Sequence, residues 1–235
     1  MHGNPGPDHS IAGGPLGQIR SGLIVSCQPV VDGPLDRPDI VAALALAALD
    51  GGAAGLRIEG LANLRAVRAV TEAPIIGLIK RDMEGYAPRI TPTLEDVDGL
   101  IAEGADIVAV DATDLTRPVP VADLIAAILS AGRIAMADCA TLEDAVAARD
   151  AGAQVTGSTM SGYTGGPIPD APDLDLVRGM AGLGGFVIAE GRYHRPEQAA
   201  DALRAGADAV VVGSAITRPE HVTGWFAGAM RKARG

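Results

Sequence analysis

From residue 22 onward the chain repeats one unit eight times: a short apolar, β-branched run, then an Ala-rich amphipathic stretch. Such alternation specifies successive βα units, because a run without a polar face makes a buried strand and a 3.6-residue stripe makes the helix that covers it. The runs lie at about 23–27, 54–59, 75–80, 106–111, 134–138, 154–159, 186–190 and 209–213. Helix ends are punctuated alike, by Asp50-Gly51-Gly52-Ala53, Glu103-Gly104-Ala105-Asp106, Asp150-Ala151-Gly152-Ala153 and Arg204-Ala205-Gly206-Ala207-Asp208. Glycine there supplies the left-handed residue that closes a helix before the next strand. Helix starts at Arg37-Pro38-Asp39, Thr141-Leu142-Glu143-Asp144 and Arg195-Pro196-Glu197 set Pro or a hydroxyl ahead of acids that favour the helix dipole. Eight units leave no room for a second domain, and a doubly wound open sheet more often stops at about five or six strands. The sequence therefore predicts a single (β/α)8 TIM barrel over residues 21–235, preceded by a flexible tail and lead-in over 1–20.

Composition narrows the function. Hydrophobic residues make up 48% of the chain and aromatics 3%, so the core is aliphatic, as parallel strands under helices require. A formal charge of −10 disfavours a nucleic-acid surface, since phosphate backbones are bound by clustered cations. An anionic ligand must then be held by a few local cations and backbone amides. Cys27 and Cys139 fall in apolar runs without CxxC or His-Cys spacing, which predicts buried free thiols and no metal site. The sequence shows no signal-type segment and no uncharged apolar run of about 18 residues, so the expectation is a cytoplasmic protein without a membrane span. Met1 to Gly14, rich in Gly and Pro, reads as a disordered tail.

Barrel enzymes place their chemistry at the carboxyl ends of the strands. The polar residues ending the apolar runs are Gln28, Arg57 with Glu59, Lys80, Asp111, Asp138, Thr159, Glu190 and Ser214. Strand alternation sets Lys80 on the face of Ile76 and Leu78, Asp138 on that of Met136, and Glu190 on that of Ile188. A lone strand-end lysine is ordinarily a solvated rim residue. Crowding several charges of both signs around one mouth is costly without a ligand or mutual pairing, and makes Lys80 a candidate base: burial lowers a lysine pKa from about 10.4 toward neutrality. The loops after the seventh and eighth strands, Glu190-Gly191-Arg192 and Gly213-Ser214-Ala215-Ile216-Thr217-Arg218, fit a phosphate site, with glycines admitting the anion to the backbone and Arg192 or Arg218 adding charge. The glycine- and hydroxyl-rich loop Ser158 to Pro167 is a candidate lid, and the loop Arg81 to Thr93 offers Tyr86 and Arg89 as contacts.

Together these strand-end motifs resemble the N-acetylmannosamine-6-phosphate 2-epimerase family over about residues 20 to 232. The carriers are Ile24-Val25-Ser26-Cys27-Gln28, Leu56-Arg57-Ile58-Glu59-Gly60, Gly77-Leu78-Ile79-Lys80-Arg81-Asp82, Ile90-Thr91-Pro92-Thr93, Val110-Asp111-Ala112-Thr113, Met136-Ala137-Asp138, Ser161-Gly162-Tyr163-Thr164, Ala189-Glu190-Gly191-Arg192 and Gly213-Ser214-Ala215-Ile216-Thr217. The resemblance implies an isomerase of amino sugar and sialic acid catabolism, with Lys80 as catalytic acid/base and Gln28, Arg57, Asp138 and Glu190 against the sugar and its N-acetyl group. It implies a phosphate near Gly191, Arg192, Gly213, Ser214 and Arg218. Two positions depart from the family pattern: Met83 stands where Tyr is usual and Ser214 where Gly is frequent.

The implied reaction inverts C2, whose proton becomes acidic once ring opening exposes an aldehyde beside it. Neutral Lys80 would take that proton, Arg57 or Gln28 would stabilise the enolate, and Glu190 and Asp138 would position the sugar or assist ring opening. No metal or cofactor is called for. Lys80 serves both faces alone, or Glu190 or Asp138 serves the second. A depressed lysine pKa equally suits a Schiff-base aldolase or another sugar-phosphate isomerase, and a non-catalytic sugar-phosphate sensor is a third reading. The predicted last helix, about 219–232, carries Val222, Trp225, Phe226 and Met230 on one stripe, which packs on its own barrel or forms a homodimer contact; the family resemblance leans to the dimer.

Overall fold

A computed structural model describes residues 13–234. Its strands are β1 (Leu23–Cys27), β2 (Gly55–Glu59), β3 (Ile75–Leu78), β4 (Ile107–Asp111), β5 (Ile134–Asp138), β6 (Val155–Gly157), β7 (Phe186–Glu190) and β8 (Ala209–Val212). The helices are α1 (Pro15–Ile19), α2 (Pro38–Asp50), α3 (Leu61–Arg68), α4 (Leu94–Ala102), α5 (Val121–Ser130), α6 (Leu142–Asp150), α7 (Leu174–Gly182), α8 (Pro196–Arg204), α9 (Ser214–Thr217) and α10 (Pro219–Lys232). All strands pair in parallel in chain order, and β8 closes on β1 through Leu23–Val210, Ile24–Val211 and Val25–Val212, so the sheet is the eight-stranded barrel that the repeats predict.

Alternation along the strands divides the core in two. Ile24, Ile76, Leu78, Ile107, Ala109, Met136, Val155, Ile188, Ala209 and Val211 fill the barrel interior. Their neighbours in sequence, among them Val25, Leu56, Ile58, Val108, Val110, Ala137 and Val210, face the helices. The helix punctuation works as read. Thr141 and Asp144 form a reciprocal capping box, Pro38 and Pro196 open their helices, and Gly52, Gly104, Gly152 and Gly206 adopt φ of 97°, 88°, 103° and 105°. Both cysteines are free and buried.

Three places differ from the sequence reading. The lead-in is not flexible throughout: α1 closes the lower mouth of the barrel with Leu16 and Ile19, 4% and 1% exposed, packed into the interior layer. Burying two such side chains contributes about 1.5–3 kcal/mol each, but a five-residue helix is too short to show a periodicity. The expected tail over Met1 to Gly14 lies, for residues 1–12, outside the described residues. Second, β3 ends at Leu78 rather than at Lys80, because the Lys80 amide turns to the Glu59 carboxylate at 3.2 Å and the chain bridges back to Ile90. Third, β6 is three residues long, its predicted end Ser158-Thr159 having already left the sheet. The predicted last helix is present as α10, but it contributes no buried residue, and Trp225, Phe226 and Met230 are 40%, 70% and 60% exposed.

Candidate active site

At the upper mouth the interior-facing positions become polar. Inward alternation that gives Gly55 at the base of β2 gives Arg57 one layer higher, where its guanidinium is 1% exposed. Its Nη2 donates to Asp138 Oδ2 at 2.6 Å, and its Nη1 lies 3.3 Å from Asp138 Oδ1 and 3.0 Å from Glu190 Oε2. The Thr159 hydroxyl bridges the same carboxylates, 2.6 Å from Asp138 Oδ1 and 3.2 Å from Glu190 Oε2. One cation thus serves two carboxylates, at the ends of β5 and β7, with Thr159 beyond the intervening β6 bridging them. Burial alone would push the Arg57 pKa down; Asp138 and Glu190 more than reverse that, so Arg57 stays charged. For Glu190 burial dominates and drives the pKa up, with Asp138 adding to it, against Arg57 and Lys80.

Lys80 stands beside this cluster on the wall of the mouth. Its side chain opens onto the cavity and is crowded by protein on the remaining sides. Desolvation by that enclosure lowers its pKa most, and Arg57 and Arg218 lower it further, while Glu190 and Glu59 oppose them. Asp138, Arg57 and Glu190 sum to one negative charge, so a single proton, on Lys80 or on Glu190, neutralises the set. Such a site holds one transferable proton between two groups whose pKa values are drawn toward each other.

The mouth encloses a cavity of about 500 Å³, lined near the charges by Lys80, Arg57, Glu190, Thr159, Ser26 and Gln28. That volume is within the range of small-molecule sites. Gln28 donates its Nε2 to Ser26 Oγ at 2.8 Å, and its buried Oε1 has no protein partner. Across the cavity the β7 and β8 loops present Gly191, Arg192, Gly213 and Ser214. Among the described residues the amides of Gly191, Arg192, Ser214 and Ala215 find no protein acceptor. Arg218 Nε is anchored on the Gln28 carbonyl at 2.7 Å, which leaves its terminal nitrogens toward the cavity. Uncommitted amides and a fixed guanidinium are what a dianionic phosphate needs.

Comparison with known proteins decides the family. Residues 41–232 match the NanE family profile, described as "Putative N-acetylmannosamine-6-phosphate epimerase". The chain belongs to that family. Relatives named as N-acetylmannosamine-6-phosphate 2-epimerases include one from Actinobacillus pleuropneumoniae serotype 5b (strain L20), 54% identical over 219 residues covering 93% of this chain and 96% of that one. Another, from Shigella dysenteriae serotype 1 (strain Sd197), is 58% identical over 214 residues covering 91% and 93%. The solved structure of the N-acetylmannosamine-6-phosphate 2-epimerase from Clostridium perfringens superposes with a TM-score of 0.90 at 38% identity, covering 97% of this chain and 100% of that one.

Within this epimerase-family barrel, Lys80, Glu190, Gln28, Arg57, Gly191, Gly213, Ser214 and Arg218 converge on one cavity. Two residues sit otherwise than the sequence suggests. Asp138 is fully buried, its oxygens taken by Arg57 and Thr159, and it does not line the cavity. Arg192 lends the cavity its backbone, but its guanidinium turns away, to the carbonyls of Ala171, at 2.7 Å, and Ser161. Asp111, another strand-end acid, is held by Thr113 and Arg117 and does not line the cavity. Sequence reasoning missed Met160, Ile90 and His194, which do line it. His194 stacks on Trp225 of α10 with centroids 4.6 Å apart, and no spacing in the sequence joins those two residues.

Proposed function

We propose that this protein interconverts N-acetylmannosamine 6-phosphate and N-acetylglucosamine 6-phosphate by inverting C2, within amino sugar and sialic acid catabolism. Family membership supports the reaction. The observation that carries the residue roles is the position of Lys80, its pKa lowered, beside a buried Asp138–Arg57–Glu190 cluster and across one cavity from free amides and Arg218.

In this reading the phosphate binds the Gly191, Arg192, Ser214 and Ala215 amides and Arg218, which leaves the sugar ring over Arg57 and Lys80. Glu190, whose raised pKa lets it carry a proton, assists ring opening at O5 and the C1 hydroxyl. Neutral Lys80 then removes the C2 proton. The electron pair moves into the C1–C2 bond and the charge onto the former aldehyde oxygen, where the uncommitted Nη2 hydrogen of Arg57 meets it. Rotation about the open chain presents the other face, and Lys80 returns the proton. In the two-base form Glu190 delivers it. Asp138 acts by holding Arg57.

The test is incubation with N-acetylmannosamine 6-phosphate in deuterated water, followed by proton NMR at C2. Appearance of the second epimer with deuterium at C2 is the expected result; no conversion, or conversion without C2 exchange, defeats the proposal. Borohydride trapping of substrate on Lys80 would instead favour the Schiff-base reading.

We also infer a homodimer and a cytoplasmic location. The apolar residues of α10 support the first, since Phe226 and Met230 stay 70% and 60% exposed on a helix that contributes no buried residue, and such a face gains by meeting a second copy. Two free, buried thiols fit the second.

A further inference from the structure

The Arg192 guanidinium is aimed away from the cavity that its backbone faces, and its surroundings give the reason. Arg192 has φ 63°, a left-handed conformation that costs a non-glycine residue energy, directly after Gly191 at φ 112°. This twist sends the main chain toward the cavity and the side chain the other way, into the loop that joins β6 to α7. There Nε donates to the Ala171 carbonyl at 2.7 Å, Nη1 donates to the Ser161 carbonyl, and Cζ lies 5.7 Å from the centre of the Tyr163 ring. Ser161 lies near the start of that loop and Ala171 near its end. The two ends are further joined by Ser161 Oγ on Asp173 Oδ2 at 2.7 Å, and Asp173 caps α7. Gly162 packs so close that a Cβ there would stand 3.2 Å from Arg192 Nη1 and 2.6 Å from Pro169. Tyr163, between the clamped ends, and Met160, immediately before the first of them, line the cavity.

We propose that Arg192 is a positioning residue whose guanidinium fork clamps the β6–α7 loop over the sugar and ties the placement of that loop to phosphate on the Gly191–Arg192 backbone. This rests on the phosphate site of the preceding section. An anion accepting those two amides stabilises the strained left-handed backbone, the backbone fixes where the fork stands, and the fork fixes Tyr163 and Met160. Phosphate binding energy is thereby spent on ordering the lid, so it is expressed in kcat as well as in affinity.

The test is Arg192→Gly, in which glycine keeps the left-handed backbone and its amide while the fork is removed. The expected result is a kcat lowered at least about tenfold with N-acetylglucosamine 6-phosphate affinity held within about threefold. Hydrogen exchange of the 158–171 segment should slow on adding N-acetylglucosamine 6-phosphate, or inorganic phosphate alone, to the wild-type protein, and should not slow in the variant. Arg192→Lys keeps a cation on an aliphatic stem and serves if the glycine variant fails to fold; a point charge that cannot fork should restore thermal stability without restoring kcat or the exchange protection. Wild-type kcat in either variant, affinity lost with kcat intact, or a wild-type loop whose exchange ignores both ligands overturns the clamp. Absence of epimerisation by the wild-type protein would instead defeat the functional reading, and phosphate-dependent protection of the loop would still report on the clamp.

Discussion

Replacing Arg57 by methionine tests the central electrostatic argument. Methionine fills much of the arginine stem's volume, so the change is chiefly the loss of one positive charge. Asp138 has no solvent exposure and Glu190 only 15%, so neither carboxylate can recover its hydration when Arg57 goes. Breaking a buried pair by removing one partner costs about 3–5 kcal/mol, which for a chain of this size lowers Tm by about 6–20 °C at neutral pH. The loss should itself depend on pH. Without that cation Glu190, already raised by burial and by Asp138, loses the charge that most opposes the rise, so its folded pKa climbs further above the unfolded value of about 4.3. Stability is complete below that value and is lost as pH rises through the folded pKa. The deficit of the variant relative to wild type is therefore largest near pH 7–8 and shrinks toward about pH 5. Adding Asp138→Asn to the methionine variant should recover most of it. Urea denaturation followed by circular dichroism at both pH values measures these quantities. A deficit below about 1 kcal/mol, one equal at both pH values, or no recovery in the double variant would refute the claim that Arg57 neutralises a buried carboxylate pair.

Lys80→Met should abolish C2 deuterium exchange and epimerisation while leaving the circular dichroism spectrum unchanged; residual exchange at the wild-type rate removes Lys80 as the base. The pH profile of kcat/KM should rise with a pKa below the ordinary lysine range of about 10.4, in keeping with the direction of the Lys80 shift. Arg218→Ala should raise KM by about 10–100-fold through loss of charge-assisted bonds to phosphate, and should move that limb to higher pH, because Arg218 is one of the two cations that depress Lys80. Phe226→Glu on the exposed face of α10 should halve the mass seen by light scattering if that face joins two copies; an unchanged mass places any interface elsewhere.

The barrel was legible because its signals are local. Each of the eight strands is an apolar run, and the turn after α2, α4, α6 and α8 ends in a glycine whose φ the structure shows to be positive. Strand alternation likewise brought Arg57, Lys80 and Glu190 to one mouth. What stayed hidden depends on the third dimension. Alternation gives the face of Asp138 but not the depth at which Arg57 intercepts it. It says nothing of Arg192, whose side-chain direction is set by a left-handed backbone that favours glycine. The α1 plug escaped because two apolar residues in one turn carry no period, and the His194–Trp225 stack because it joins a loop to a helix 31 positions away (225 − 194) with no local constraint between them.

The guanidinium shared by Asp138 and Glu190 bears on both directions of the reaction. Two epimers that differ only at C2 lie close in energy, and by microscopic reversibility the same groups must serve both journeys. A pair with widely separated pKa values would leave the proton fixed on one member and slow both journeys by the same factor. In this cluster burial lifts the acid and enclosure among cations weakens the ammonium, so neither partner holds the proton firmly. Such a pair passes the proton at little cost either way, which speeds both journeys alike.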